Sequence, residues 1–201
     1  MEKTLALILA VDEQNWLGKN NTLAWKLSWD ITYFKEITTT TLSSSKKNAV
    51  LMWRRTWESI PEKYKPLPHR KNYILTRDTS FQWWDGVFQS LEQALEILAQ
   101  DDCIETIYII GGSQIYNEVI KKDLADTIYL TQVLWVFWCD VFFLWIPANY
   151  RLESISEKQQ ESGIPYQFLV YKKEHDLKPL TNGKTLWETK SPNISTIWED
   201  I

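Results

Sequence analysis

The chain is poor in glycine, cysteine and histidine, and it has neither a long hydrophobic run nor an excess of positive charge. Six glycines stand among 201 residues, where ordinary usage of roughly 7% would supply about 14. Two histidines rule out a histidine-based zinc site and a Ser-His-Asp arrangement as plausible chemistry. Cys103 and Cys139 lack metal-type spacing and CxxC pairing, and they read as reduced thiols of a cytosolic protein. A formal net charge of -4 gives no general attraction for nucleic acid or an anionic membrane, so any basic site must be local. The apolar stretch at residues 5–11 is too short to span a bilayer and lacks a signal-type cleavage region. A second apolar stretch, at 134–145, is broken by Cys139 and Asp140.

What is present is a pattern of strands and helices in one domain. Residues 5–11 are apolar without alternation, as in a strand covered on both faces. Residues 28–38 set Ile31, Phe34 and Ile37 at helical spacing, with Ser28 as N-cap and Asp30 in the first turn. Residues 48–53 and 72–76 read as short buried strands, separated by an irregular stretch at 60–70 with three prolines. Ser90 is expected to cap an amphipathic helix over 91–100. A strand at 106–110 runs into Gly111-Gly112 and a helix at 113–121, followed by strands at 127–133 and 166–172. This alternation predicts an α/β domain with a largely parallel sheet and an antiparallel end. Residues 1–174 form that domain, and 175–201 are expected to be a polar, weakly ordered tail.

Four places carry chemistry. Asp30 enters a helix just after Trp25, although a first-turn carboxylate usually does no more than complement the helix dipole. Arg54-Arg55-Thr56 places two guanidinium groups at a helix start, a good seat for a phosphate monoester, although such a pair taken alone is more often simply solvated. Gly111-Gly112-Ser113-Gln114-Ile115-Tyr116 puts small residues at a strand-to-helix turn, where a pyrophosphate can approach closely. It lacks the GxGxxG spacing of a Rossmann fingerprint. Arg70, just before a strand, is placed to pair with a carboxylate in a cleft.

Taken in order, these segments resemble the dihydrofolate reductase family from about residue 5 to 173. The matching pieces are the Leu17-to-Trp25 loop, the helix with Asp30 and Phe34, and Arg54-Arg55-Thr56-Trp57-Glu58-Ser59-Ile60-Pro61. They continue through Pro66 to Asn72, Ile109 to Tyr116, and Cys139-Asp140-Val141-Phe142-Phe143. The resemblance implies a mostly parallel, mixed sheet of about eight strands flanked by about four helices. It implies reduction of 7,8-dihydrofolate by NADPH in a cytoplasmic monomer, with no nucleic-acid or membrane partner. Asp30, as its one buried acid, would bind the pterin and aid protonation at N5, with Trp25 and Thr131 completing the catalytic group. Ile8, Leu9, Phe34, Ile60, Leu67 and Ile110 would line the substrate pocket, and Arg70 would hold the glutamate-tail carboxylate. Ala10, Leu17, Arg54, Arg55, Thr56, Thr76, Arg77, Gly111, Gly112, Ser113, Gln114, Ile115 and Tyr116 would hold NADPH, with the arginine pair favouring its 2′-phosphate. Residues 15–22 would form a mobile cover over the nicotinamide. Alternatives are a related pyrimidine reductase of flavin synthesis, and a folate- or nucleotide-binding protein that does not turn over.

The chain departs from that pattern at Ala24 (family Pro), at His69 (family Gly) and at several tryptophans. Only Trp25 and Trp57 of its 12 tryptophans fit the family. The others stand at 16, 29, 53, 83, 84, 135, 138, 145, 187 and 198. Position 53 is nearly always Gly in the family, where it lets the cofactor pass close to the backbone. Glycine at all ten would restore ordinary composition and leave two tryptophans. Three accounts follow: UGA codons read as glycine in the source, deliberate substitution, or natural exposed aromatics.

Overall fold

The computed structural model describes residues 3–19 and 24–174. The polar tail and part of the 15–22 loop lie outside these residues. In chain order the elements are β1 (Thr4–Val11), β2 (Trp16–Gly18), α1 (Ser28–Thr39), β3 (Lys47–Trp53) and α2 (Arg54–Ser59). Next come a short 3-10 turn at Glu62–Tyr64, β4 (Lys71–Leu75), β5 (Val87–Phe88), α3 (Leu91–Ala99), β6 (Ile104–Ile109) and α4 (Ser113–Lys121). The series ends with β7 (Thr127–Val133), β8 (Val141–Phe142), β9 (Tyr150–Ile155), β10 (Gln159–Glu161) and β11 (Ile164–Lys173).

A nine-stranded sheet runs β10-β11-β7-β1-β6-β3-β4-β5, with β9 also paired to β11; β2 and β8 form a separate ribbon. The pairs from β7 through β5 are parallel, and β11 is antiparallel to β7, β9 and β10. This is the mixed sheet with an antiparallel end that the alternation of elements predicts. Among the described residues, no helix is long and apolar enough to cross a membrane.

Strand alternation divides the core in two. Leu5, Leu7, Leu9 and Val11 pack with Leu91, Ala94 and Leu98 of α3 and with Ile115, Tyr116, Val119 and Ile120 of α4. Ala6 and Ile8 face the other way, into a cluster with Val50, Met52, Trp57 and Ile74, against which Phe34 and Ile37 of α1 pack. Ser90 caps α3 as expected, its hydroxyl accepting from the Gln93 amide at 3.1 Å.

The start of α1 differs from the prediction. Leu27, not Ser28, is the N-cap, and no local side chain caps the helix. The Glu161 carboxylate on β10 accepts from the amides of Ser28 at 3.0 Å and Trp29 at 3.3 Å. It meets the orphan donors of the first turn and complements the helix dipole. Ile31 is a second difference, being 65% exposed rather than inward.

Candidate functional site

The carboxyl ends of β1, β3, β4, β6 and β7 open on one edge of the sheet, the edge where open parallel sheets bind ligands. At β7 the Thr131 hydroxyl donates to Asp30 Oδ1 at 2.6 Å. Thr131 is itself buried and sits beside Ala10 in the β1–β7 register. Burial pushes the Asp30 carboxyl above its ordinary value of 3.8, and the Thr131 bond opposes that rise. The side chain is half-buried. Asp30 is therefore not the one buried acid: Asp12 is fully buried, at 0% exposure. Asp30 is open on one side, whereas Asp12 is enclosed by the backbone amides of Gln14, Trp16 and Phe137. Replacing Thr131 by Val removes the opposing hydrogen bond. Thr131→Val is expected to raise the pH at which Asp30 titrates, read by carboxyl NMR; an unchanged midpoint would show that the bond is not coupled to the proton.

The double glycine lies close to this acid. Gly111 has φ +123, a backbone that side chains rarely adopt. A Cβ there would meet the Thr56 hydroxyl and the Tyr116 hydroxyl, each at 3.4 Å. The Tyr116 hydroxyl donates to the Ile8 carbonyl at 2.9 Å, and its ionisation is opposed first by burial and then by the charge of Asp30. Asp30 and the glycine turn thus share one end of the sheet. Thr56 starts the α2 side of the same cradle, and the Trp53 amide donates to the Gly111 carbonyl at 2.8 Å.

The other predicted residues divide. Ile8, Phe34, Ile60, Leu67 and Ile110 meet in the α1-facing cluster. Leu9 does not join them: one step along β1 turns its side chain into the core on the far face. Arg70 is 7% exposed. Its guanidinium donates to the Thr38 hydroxyl at 2.6 Å and to the Pro68 carbonyl at 3.1 Å, and lies 5.4 Å from the centroid of the Phe34 ring. Burial pushes its pKa down to about 10, and among the described residues no carboxylate forms an ion pair with it.

Trp25 is buried at 4% exposure with its ring 5.3 Å from Phe137, and its Nε1 has no partner among the described residues. Such an orphaned donor points to a water or ligand beside it. Ala10 packs with Trp25, whereas Leu17 and Ile115 are core residues of the α3–α4 face. Ser113 and Gln114 open α4 next to Gly112. Thr76 is buried at the end of β4, and Arg77 is exposed beside it. Arg54 pairs with Glu58 and Asp78, each at 2.6 Å, on an exposed surface where such pairs exchange readily. Arg55 follows it on the exposed side of α2. His69, which stands where the resemblance has glycine, has φ 65.

The unexpected tryptophans also divide from the expected pair. Trp57, like Trp25, is buried, at 6% exposure. None of the other eight described is buried. Trp53 is half-buried at the N-cap of α2, between the arginine pair and the glycine turn, and its φ is an ordinary -67. Trp187 and Trp198 lie outside the described residues.

The family model described as dihydrofolate reductase matches residues 4–173. The chain is 36% identical over 182 residues to the dihydrofolate reductase of Aedes albopictus, covering 85% of this chain and 98% of that one. A protein of Heliothis virescens with the same name is 38% identical over 179 residues, covering 84% of this chain and 97% of its own. The bifunctional dihydrofolate reductase-thymidylate synthase 1 of Arabidopsis thaliana is 36% identical over 178 residues, which is 85% of this chain and 34% of that longer one.

Proposed function

The chain belongs to the dihydrofolate reductase family, and from that premise we propose that it reduces 7,8-dihydrofolate to 5,6,7,8-tetrahydrofolate with NADPH. The observation that carries the reading is the half-buried Asp30, hydrogen-bonded to Thr131 at 2.6 Å and held at the ligand edge of the sheet. NADPH supplies the hydride when bound. The residues present suit it: the Gly111–Gly112 cradle, with Thr56 beside it and α4 starting from it, admits a close phosphate approach, and Arg54, Arg55, Thr76 and Arg77, just past the carboxyl ends of β3 and β4, would hold the rest of the cofactor.

Asp30 binds the amidine-like edge of the pterin and, with its proton affinity raised by burial, supports protonation at N5 through water. Thr131 fixes the carboxyl, and the Trp25 Nε1, which has no partner among the described residues, is the donor that orients that water. Ile8, Phe34, Ile60, Leu67 and Ile110 cover the pterin and aminobenzoyl rings and exclude solvent. We read the protein as a cytoplasmic monomer. The direct test is consumption of NADPH on addition of dihydrofolate, and its suppression by methotrexate. No turnover, or turnover of a pyrimidine substrate instead, would overturn the reading.

Trp53 is the feature that favours binding without efficient turnover, because a bulky residue stands at the N-cap of α2 beside the glycine turn, its ring packed against the α3–α4 core. Relief of overpacking is worth about 1–3 kcal/mol, so Trp53→Gly is expected to tighten NADPH roughly fivefold to a hundredfold. A titration of both proteins with NADPH checks this; equal affinities would show that the ring is no obstacle.

A further inference from the structure

We propose that Asp12 is a positioning residue for this reaction, holding two loops in register beneath Trp25; the proposal rests on the reductase reading. Asp12 follows the last residue of β1 and is fully buried. Its Oδ1 accepts from the amides of Gln14 at 2.8 Å and Trp16 at 2.9 Å, and its Oδ2 accepts from the amide of Phe137 at 3.0 Å. One carboxylate therefore ties the loop that leads into β2 to the loop that leads into β8. Around it the Glu13 amide donates to the Trp135 carbonyl at 3.3 Å, and the Asp140 amide to the Gly18 carbonyl at 3.1 Å. The Phe137 ring packs on Trp25 at 5.3 Å, within the cluster that includes Ala10. Three amide donors converge on a group that offers only acceptors, so a carboxylate is required there. An asparagine keeps the shape and turns an N–H toward one of those donors.

Asp12→Asn and Phe137→Leu are the test, with rates expressed per site titrated by methotrexate so that unfolded protein does not count. The first breaks the tie; the second keeps the amide bond and removes the ring from Trp25. A displacement of about 1 Å in a catalytic group lowers rates by up to about a hundredfold. Asp12→Asn is expected to lower kcat roughly tenfold or more on that scale and to weaken NADPH, with KM for dihydrofolate unchanged, because Arg70 and the α1-facing pocket lie elsewhere. Phe137→Leu is expected to give a smaller fall in the same parameters, and the double variant to match Asp12→Asn alone. Normal kcat in either folded variant, or additive losses in the double variant, overturns the proposal. Should Asp12→Asn not fold, Phe137→Leu decides by the same split. If the unaltered chain fails to turn over, the reductase reading falls alone, and the contrast between NADPH and dihydrofolate affinities decides the role of Asp12.

A separate observation concerns the tryptophans. We infer that the ten outside positions 25 and 57 occupy glycine positions, encoded by UGA and read as glycine in the source. The two expected tryptophans are 4% and 6% exposed, whereas Trp29, Trp84, Trp135, Trp138 and Trp145 are 59%, 84%, 56%, 89% and 66% exposed. Tryptophan is highly buried on average, so such a split within one chain marks two populations. The remaining three described, Trp16, Trp53 and Trp83, are half-buried. The codons decide: UGA at the ten positions with UGG at 25 and 57 is expected, and UGG at 16 and 53 overturns the inference.

Discussion

Asp30→Asn is expected to lower kcat/KM for dihydrofolate by about 10²–10⁴, the range that a positioned acid or base contributes. The substitution keeps the shape and an oxygen that can accept from Thr131, so the loss reports the proton and the charge rather than a collapsed helix. Full retention of activity would remove Asp30 from the mechanism. The same variant makes a second measurement possible. The folded pKa of Asp30 lies above its ordinary 3.8, so the folded state binds its proton more tightly than the unfolded one. Ionisation then opposes folding, and stability falls as pH rises from that ordinary value through the raised one. Asparagine carries no such charge. Asp30→Asn is therefore expected to be more stable than the parent at neutral pH and to match it in acid, as read by denaturant melts at both. A parent more stable than the variant at neutral pH would contradict the raised pKa.

Arg70→Ala is expected to weaken folates that carry a glutamate tail by roughly thirtyfold to a few thousandfold, since truncating one partner of a buried charge pair costs about 2–5 kcal/mol. The protein holds this guanidinium against Phe34, Thr38 and Pro68, and among the described residues no carboxylate pairs with it. A ligand carboxylate entering there meets a desolvated, fixed cation, which is the geometry that gives strong pairing. A substrate analogue lacking the tail carboxylate should bind both proteins alike. Equal losses with and without the tail would mean that Arg70 supports the pocket wall and not the ligand's charge.

The elements that were legible in the sequence are those whose burial leaves a local trace. β1, β3, β4, β6 and β7 lie inside the parallel sheet and read as apolar runs, and α4 and β7 were expected at their observed bounds. β9 has five exposed residues of six, β10 is polar, and β2 and β8 are short strands that exist only by pairing with each other. None of these carries a periodic signal. The choice between Ile8 and Leu9 fails for a related reason: a strand buried on both faces gives no clue to which face meets the ligand. Asp12 and Glu161 were missed because each acts on amides brought near it only by folding. Asp30, Arg70 and the double glycine were identified through the ordered series of segments, not through any one of them.

The carboxylate of Glu161 on the first turn of α1 has a consequence in time. The helix bearing Asp30 emerges early from the ribosome, but the group that caps it is encoded 133 residues after Ser28. A nascent chain that has not yet delivered its closing hairpin has the acid in its primary structure but not in its final setting. The setting of the Asp30 helix thus waits on translation of the β10–β11 hairpin, and proteins cut short before that hairpin should emerge with the Glu161 cap of α1 missing.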